Sequence, residues 1–310
     1  MRRFLGFDTS NYTTSVAVAA EDGSGRNEGK LLQVKPGELG LRQSEALFQH
    51  VKALPERMNA LAEAEVLGEI AAVGASTQPR TVEGSYMPCF LAGTSQAQSM
   101  AAAMGVPFYG FSHQQGHIAA ACWSSGHLEL LDKPLLAWHL SGGTTELLLV
   151  VPEDGELRCG RIGGTTDLSA GQLIDRTGQL LGMQFPAGKM LDRIAGYSEG
   201  KNSFRVRLKG LEFSLSGVEN QVKDMVEDHR LPSDIARFAL LTIASVVERT
   251  TQAARRQYPG LPVICSGGVA SNSLLRERLP GVIFCPPAYS TDNAMGVAML
   301  TMRRYLREHM

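Results

Sequence analysis

The stretch Arg3-Phe4-Leu5-Gly6-Phe7-Asp8-Thr9-Ser10-Asn11-Tyr12-Thr13-Thr14-Ser15-Val16-Ala17-Val18 decides the fold. Its apolar start predicts a strand from Arg3 to Phe7, and its polar centre predicts a turn from Asp8 to Thr13. Val16 and Val18 then carry a second strand, which makes the whole a hairpin with hydroxyls at the bend. The design returns at Pro134-Leu135-Leu136-Ala137-Trp138, which leads into Ser141-Gly142-Gly143-Thr144-Thr145 and on to Leu147-Leu148-Leu149-Val150-Val151. Thr13-Thr14 falls on Thr144-Thr145 at a constant offset, and Ser10 then falls on Ser141. That is the mark of an internal duplication with one lobe per copy.

Outward from each hairpin the pattern alternates strand and helix, as in α/β folds. The first copy predicts a strand from Leu31 to Lys35, a helix over Ser44 to Ala64 and a strand from Ile70 to Ser76. The second predicts a strand from Leu157 to Ile162, a helix from Leu168 to Leu181, a new start at Pro186 and a long helix around Ile235 to Arg256. A buried strand Pro262-Val263-Ile264-Cys265 then enters Ser266-Gly267-Gly268, a helix begins near Ser271, and a final helix follows Asp292. The expected lobes are 1–110, completed by a C-terminal helix over 291–310, and 111–290.

A chain of 310 residues, 44% hydrophobic and 20% charged, can bury a core in each lobe and is not disordered as a whole. Its 30 basic residues against 31 acidic ones leave no general field for gripping nucleic acid, so a polyanion must be met locally or with a partner. Local candidates are Arg205, Arg207 and Lys209, the pair Arg255-Arg256, and Arg303, Arg304 and Arg307. The five cysteines, Cys89, Cys122, Cys159, Cys265 and Cys285, are odd in number and form no C-x-x-C pair. They read as reduced intracellular thiols rather than a disulfide framework or a thiolate zinc site. No apolar run of about 18 residues occurs, and Met1-Arg2-Arg3 meets Asp8 too soon for a secretory signal, so the expected location is cytoplasmic.

Two loops place paired glycines directly after an apolar strand: Ser141-Gly142-Gly143 and Ser266-Gly267-Gly268. Glycine lets backbone approach a ligand and leaves N–H groups to meet anionic oxygens, although tight turns also use it for steric reasons alone. With the Asp8-Thr9-Ser10 turn, these loops point to a nucleotide cleft between the lobes. His113 and His117 stand four apart before Ile118-Ala119-Ala120-Ala121, so one helix can aim both imidazoles at a metal. Gln114 occupies the place a zinc protease gives to its glutamate base, which argues against proteolysis. A divalent ion needs a further ligand, and Asp292 is a candidate, although an aspartate there can equally cap the last helix.

Taken in order, Gly6-Phe7-Asp8-Thr9-Ser10, Ser112 to His117, Ser141-Gly142-Gly143, Phe185-Pro186-Ala187-Gly188, Phe213-Ser214-Leu215-Ser216-Gly217, Gly267 to Asn272 and Cys285 to Asn293 resemble the motifs of one family. It is the bacterial tRNA threonylcarbamoyladenosine transferase TsaD and its archaeal and eukaryotic counterparts, the glycoprotease or O-sialoglycoprotein endopeptidase family. The resemblance covers nearly the whole chain. It implies the actin, Hsp70 and sugar-kinase (ASKHA) fold, two similar α/β lobes around a nucleotide cleft. It implies transfer of the threonylcarbamoyl group from threonylcarbamoyl-AMP to adenosine 37 of tRNA, aided by one divalent metal, iron or zinc, and by partner subunits. His113, His117 and Asp292 align with the family's metal ligands. His139, Leu140, Ser141, Gly142, Gly143, Asp175, Gly188, Gly267, Gly268 and Asn272 align with adenylate contacts.

The departures from the family pattern are local. Tyr12 and Thr13 stand where an acidic pair is usual, Thr144 replaces a histidine, and Gln172 replaces a glutamate. The loop after the first lobe's third strand, usually glycine-rich, reads Gln78-Pro79-Arg80-Thr81-Val82-Glu83-Gly84. These changes fit a divergent paralogue and keep a second function in view, that of an assembly or regulatory subunit which binds a nucleotide without turnover. Phosphoryl transfer suits the fold but leaves the paired histidines unexplained.

Overall fold

The computed structural model describes residues 1–34, 40–82, 84–153 and 155–309. In the first sheet β1 (Arg3–Asp8) pairs antiparallel with β2 (Thr13–Ala20), and β2 pairs with β3 (Gly25–Leu31). Helix α1 (Gln43–Glu63) leads to β4 (Ile70–Gln78), then α2 (Phe90–Met104) leads to β5 (Phe108–Ser112). The order is β3-β2-β1-β4-β5, with β4 parallel to both of its neighbours. The strand expected from Leu31 to Lys35 lies earlier: Leu31 ends β3, and residue 35 falls outside the described residues. The reason is physical. β3 is an edge strand carrying Arg26, Asn27, Glu28 and Lys30, held by its ladder to β2, so it has no apolar alternation to reveal it.

Helix α3 (His113–Ser124) follows β5 directly. The second sheet is built from β6 (Leu135–Leu140), β7 (Thr145–Glu153) and β8 (Glu156–Thr165). After helices α4 (Ala170–Leu180) and α5 (Gly188–Ala195) comes the short β9 (Glu212–Phe213). Helices α6 (Ser216–Glu227) and α7 (Pro232–Gln257) lead to β10 (Val263–Ser266), α8 (Ser273–Arg278), β11 (Ile283–Phe284) and α9 (Met295–His309). The helix expected near Ser271 begins as α8 at Ser273, after a short 3-10 turn Gly268–Ser271, with Asn272 capping it by accepting from the Leu275 N–H.

The second sheet has the order β11-β10-β6-β7-β8-β9. Its strands β8-β7-β6-β10-β11 repeat β3-β2-β1-β4-β5 in order and in sense, two antiparallel pairings and then two parallel ones. The duplication read from Thr13-Thr14 and Thr144-Thr145 is therefore a duplication of topology.

Alternation along β6 divides its side chains between two layers. Leu136, Trp138 and Leu140 enter the core under α7, while Leu135 and Ala137 face Ile118 of α3 and Met299 of α9. α3 and α9 form the layer shared by both sheets, which is why α3 is buried from His113 to Cys122 and α9 from Met295 to Met302. Met295, Met299 and Met302 are packing residues. Among the described residues no helix is long and apolar enough to cross a membrane.

Candidate functional site

Ser112 starts α3 by accepting from the Gln115 N–H, while the Gln115 side chain accepts from the Ser112 N–H. This capping box fixes His113 as the first helical residue and sets His117 one turn further on, with ring centroids 4.3 Å apart. Both rings point into the buried layer rather than along a solvent face. From the other end of the sequence, Asp292 brings Oδ1 to 3.5 Å from His113 Nε2 and 3.4 Å from His117 Nε2. Its Oδ2 accepts from the Tyr12 N–H at 3.2 Å. The carboxylate precedes α9 and does not cap it from within.

The third imidazole is His139. Odd-numbered residues of β6 face α3, so His139 lies beside the pair, its ring 4.6 Å from His117 and 6.2 Å from His113. One nitrogen from each of His113, His117 and His139 lies within 4.8 Å of the others. His139, expected among the adenylate contacts, also lies in the histidine cluster. His117 Nε2 and His139 Nε2 are buried without a hydrogen-bond partner among the described residues. Orphaned ring nitrogens beside a carboxylate are costly in a dry interior, and a cation would satisfy them together. The three imidazoles could hold a metal ion, and nitrogen donors of this kind suit first-row divalent metals.

His113 is oriented from behind. Its Nδ1 lies 3.0 Å from Asp8 Oδ2 and 2.7 Å from Ser10 Oγ, both on the turn between β1 and β2. With Nδ1 held by Asp8, Nε2 is the nitrogen turned toward Asp292 and His117, so that a cation bound there would take the place of its proton, the arrangement usual behind a metal-bound histidine. Burial pulls the His113 pKa down, but Asp8 and Asp292 outweigh it and push it up to about 10. Burial, and then the neighbouring imidazoles, pull His117 and His139 down, so these two rings stay neutral. Burial acts upward on Asp292, but the histidines win and hold it ionised. Asp8→Asn keeps the shape and removes the charge. We expect divalent-metal affinity to fall roughly 10- to 100-fold with the far-UV spectrum unchanged. Equal affinity in a competition titration would show that Asp8 does not support the site.

The residues expected to contact an adenylate divide into two groups. A Cβ on Gly142, Gly143 or Gly268 would meet nothing within 4 Å, so these loops border open space. Gly267 has φ +93° and a Cβ there would come 2.2 Å from the Leu140 carbonyl oxygen, so close backbone approach already requires glycine. Ser141 closes its turn through the Thr144 N–H, and Leu140 is buried in the core. Asn272 is engaged, accepting from Leu275 N–H and donating to Asp192. Asp175 accepts from the Ala187 N–H at 2.9 Å, which ties it to the turn before Gly188, and burial raises its pKa. Tyr12 joins the two regions: it contacts Phe185 at 6.0 Å between rings, and both Asp175 and Asp292 help burial to raise its pKa.

Of the basic residues, Arg303 pairs with Asp132, Arg304 pairs with Glu156 and Glu308, and Arg255 donates to the Gly281 carbonyl. Arg303 and Arg304 are engaged in these ion pairs, while Arg255, Arg205, Arg207 and Lys209 are exposed. Sequence reading passed over Glu146. It stands opposite His139 in the β6–β7 register, and only the hairpin pairing could have located it.

Two duplicated sheets with a site between them define the ASKHA class. In fold the chain is similar to HypF of T. kodakarensis, with a TM-score of 0.62 and 14% identity over 99% of this chain and 48% of that one. It is likewise similar to component A of the Acidaminococcus fermentans (R)-2-hydroxyglutaryl-CoA dehydratase, with a TM-score of 0.57 and 15% identity over 99% and 100% of the two chains.

Residues 35–299 match the family model for TsaD, described as tRNA N6-adenosine threonylcarbamoyltransferase. Curated relatives with that description include one from Thermus thermophilus, 34% identical over 98% of this chain and 93% of its own length. Another, from Streptococcus suis, is 30% identical over 100% and 94%. The chain belongs to the TsaD family of tRNA N6-adenosine threonylcarbamoyltransferases.

Proposed function

We propose that the protein transfers the threonylcarbamoyl group from threonylcarbamoyl-AMP to the N6 amine of adenosine 37 in tRNA, with His113, His117, His139 and Asp292 holding one divalent cation. The observation that carries the metal reading is the approach of Asp292 to both helical histidines across more than 170 positions of sequence, beside a third imidazole. When bound, the cation supplies Lewis-acid polarisation of a carbonyl or phosphoryl oxygen. The chain's own residues do the rest. Asp8 and Ser10 fix the His113 ring, and the Tyr12 N–H fixes Asp292. The loops at Gly142, Gly143 and Gly268 border open space that would take an adenylate phosphate, and Asp175, which accepts from the Ala187 N–H, would serve the ribose hydroxyls. The adenosine amine attacks the carbamoyl carbon, a C–N bond forms, AMP leaves with the electrons of the broken C–O bond, and the proton lost from the amine passes to the departing phosphate or to water.

The test is reconstitution. Protein loaded with iron or zinc is incubated with tRNA, threonine, bicarbonate, ATP and an adenylate-forming enzyme, with and without partner subunits of the modification complex. Nucleoside mass spectrometry should show threonylcarbamoyladenosine at position 37. A second reading is favoured by Tyr12 and Thr13, which stand where the family pattern has an acidic pair. Adenylate binding without transfer, even with partner subunits present, would assign the chain to nucleotide-dependent assembly or regulation instead.

A further inference from the structure

We propose that Arg80, presented by Glu146, is the specificity-determining receptor for the carboxylate of the transferred threonyl group; this rests on the transfer reading above. Arg80 belongs to the loop after β4, in the first lobe, and reaches the second: its guanidinium nitrogen lies 2.9 Å from Glu146 Oε1. The same loop is tied to α3, because the Pro79 carbonyl accepts from the Gln114 N–H at 3.2 Å, one residue from His113. Glu146 is a buried carboxylate on β7, directly across from His139, so its side chain leaves the sheet on the face that carries the histidine cluster. Its second oxygen faces the Gln114 amide at 3.4 Å. Arg80 itself keeps 44% of its side chain exposed, so its charge borders open solvent rather than core.

The charges around the site lead to the assignment. Asp8 and Asp292 bring two carboxylates to the histidine cluster, and Glu146 adds a third across from His139. Arg161 also approaches Glu146, at 3.8 Å, but it is drawn off by Glu212 at 2.8 Å and by the Thr165 carbonyl at 3.1 Å. Arg80 is the cation that Glu146 holds beside the histidines. The donor carries two anionic groups. Its phosphate falls to the backbone of the glycine loops, which leaves the threonyl carboxylate for a guanidinium. A guanidinium anchored through one nitrogen keeps the planar fork that pairs with a carboxylate.

The experiment uses metal-loaded full-length protein and two hydrolysis-resistant adenylates, one carrying the threonylcarbamoyl group and one the same group without its carboxylate. Calorimetry should give the wild type a roughly 10- to 100-fold preference for the carboxylate form, the range expected for a charge-assisted pair. Arg80→Gln should abolish that preference and leave the decarboxylated analogue's affinity unchanged. Glu146→Gln should reduce the preference in part, because the guanidinium is kept but no longer positioned. Equal affinity of Arg80→Gln and wild type for the carboxylate form, or an equal loss on both analogues, overturns the assignment. If the wild type takes up its metal yet binds neither analogue, the transfer reading fails and this assignment with it.

Discussion

In His139→Phe the gain in thermal stability on adding iron or zinc should largely disappear, while the metal-free protein becomes as stable as the wild type or more so. The two effects have separate causes. A ring nitrogen buried without a partner costs about 1–3 kcal/mol, and phenylalanine removes it while keeping most of the volume. Losing one of the proposed ligands should weaken metal binding by roughly 100-fold or more, since changes behind the ligands alone cost 10- to 100-fold. At a metal concentration of about 100 Kd for the wild type, that removes most of the roughly 2.7 kcal/mol of stabilisation. Melting curves with and without metal read both effects, and His117→Ala should show the same loss of metal response. An undiminished metal-induced shift in His139→Phe would mean that the cation, if present, is held by His113, His117 and Asp292 without the third ring.

Gly296→Ala is expected to be among the most damaging single-methyl changes in the chain. The added carbon would sit 1.8 Å from the Gly116 carbonyl oxygen and 2.7 Å from the Ala120 nitrogen, both backbone atoms of α3. No rotamer relieves backbone against backbone, so α9 and α3 must move apart. Overpacking costs about 1–3 kcal/mol in ordinary cores, and here we expect the upper end or beyond. Function is lost for the same reason. Asp292 precedes α9 by three residues, while His113 and His117 ride on α3, so separating the helices pulls the carboxylate from the rings. Denaturant midpoint and metal affinity should fall together. Gly268→Ala is the control, because its methyl would meet nothing within 4 Å and stability should change by less than about 1 kcal/mol. A Gly296→Ala protein with wild-type midpoint and metal affinity would mean that the two helices have room to spare.

The hairpin pattern was legible because both of its strands are apolar and the polar turn between them is short. β1 with β2 and β6 with β7 fall where Phe4, Val16, Leu136 and Leu148 put them. The long amphipathic helices were legible too, α1 and α7 beginning and ending within a few residues of expectation. β3 was not, because an edge strand held by backbone bonds needs no apolar side chains, and the two-residue strands β9 and β11 are too short to show a period. Within the site, the i, i+4 spacing brought His113 to His117, and the need for a further ligand made Asp292 a candidate that the family pattern supported. The position of His139 was hidden, since a lone histidine next to Ser141-Gly142-Gly143 reads as part of the glycine loop.

The sequence by itself determined the duplicated α/β architecture, the family, and the residue types from which a metal and nucleotide site could be made, since periodicity and local motifs need only neighbouring residues. The tertiary structure alone decided which of those residues meet. Strand parity turned His139 and Glu146 toward α3. A glycine-to-glycine helix crossing let α9 bring Asp292 to the rings. The turn between β1 and β2 placed Asp8 and Ser10 behind His113. Each of these contacts joins segments far apart in the chain, and the burial of both sheets against one shared helical layer sets the distance between them.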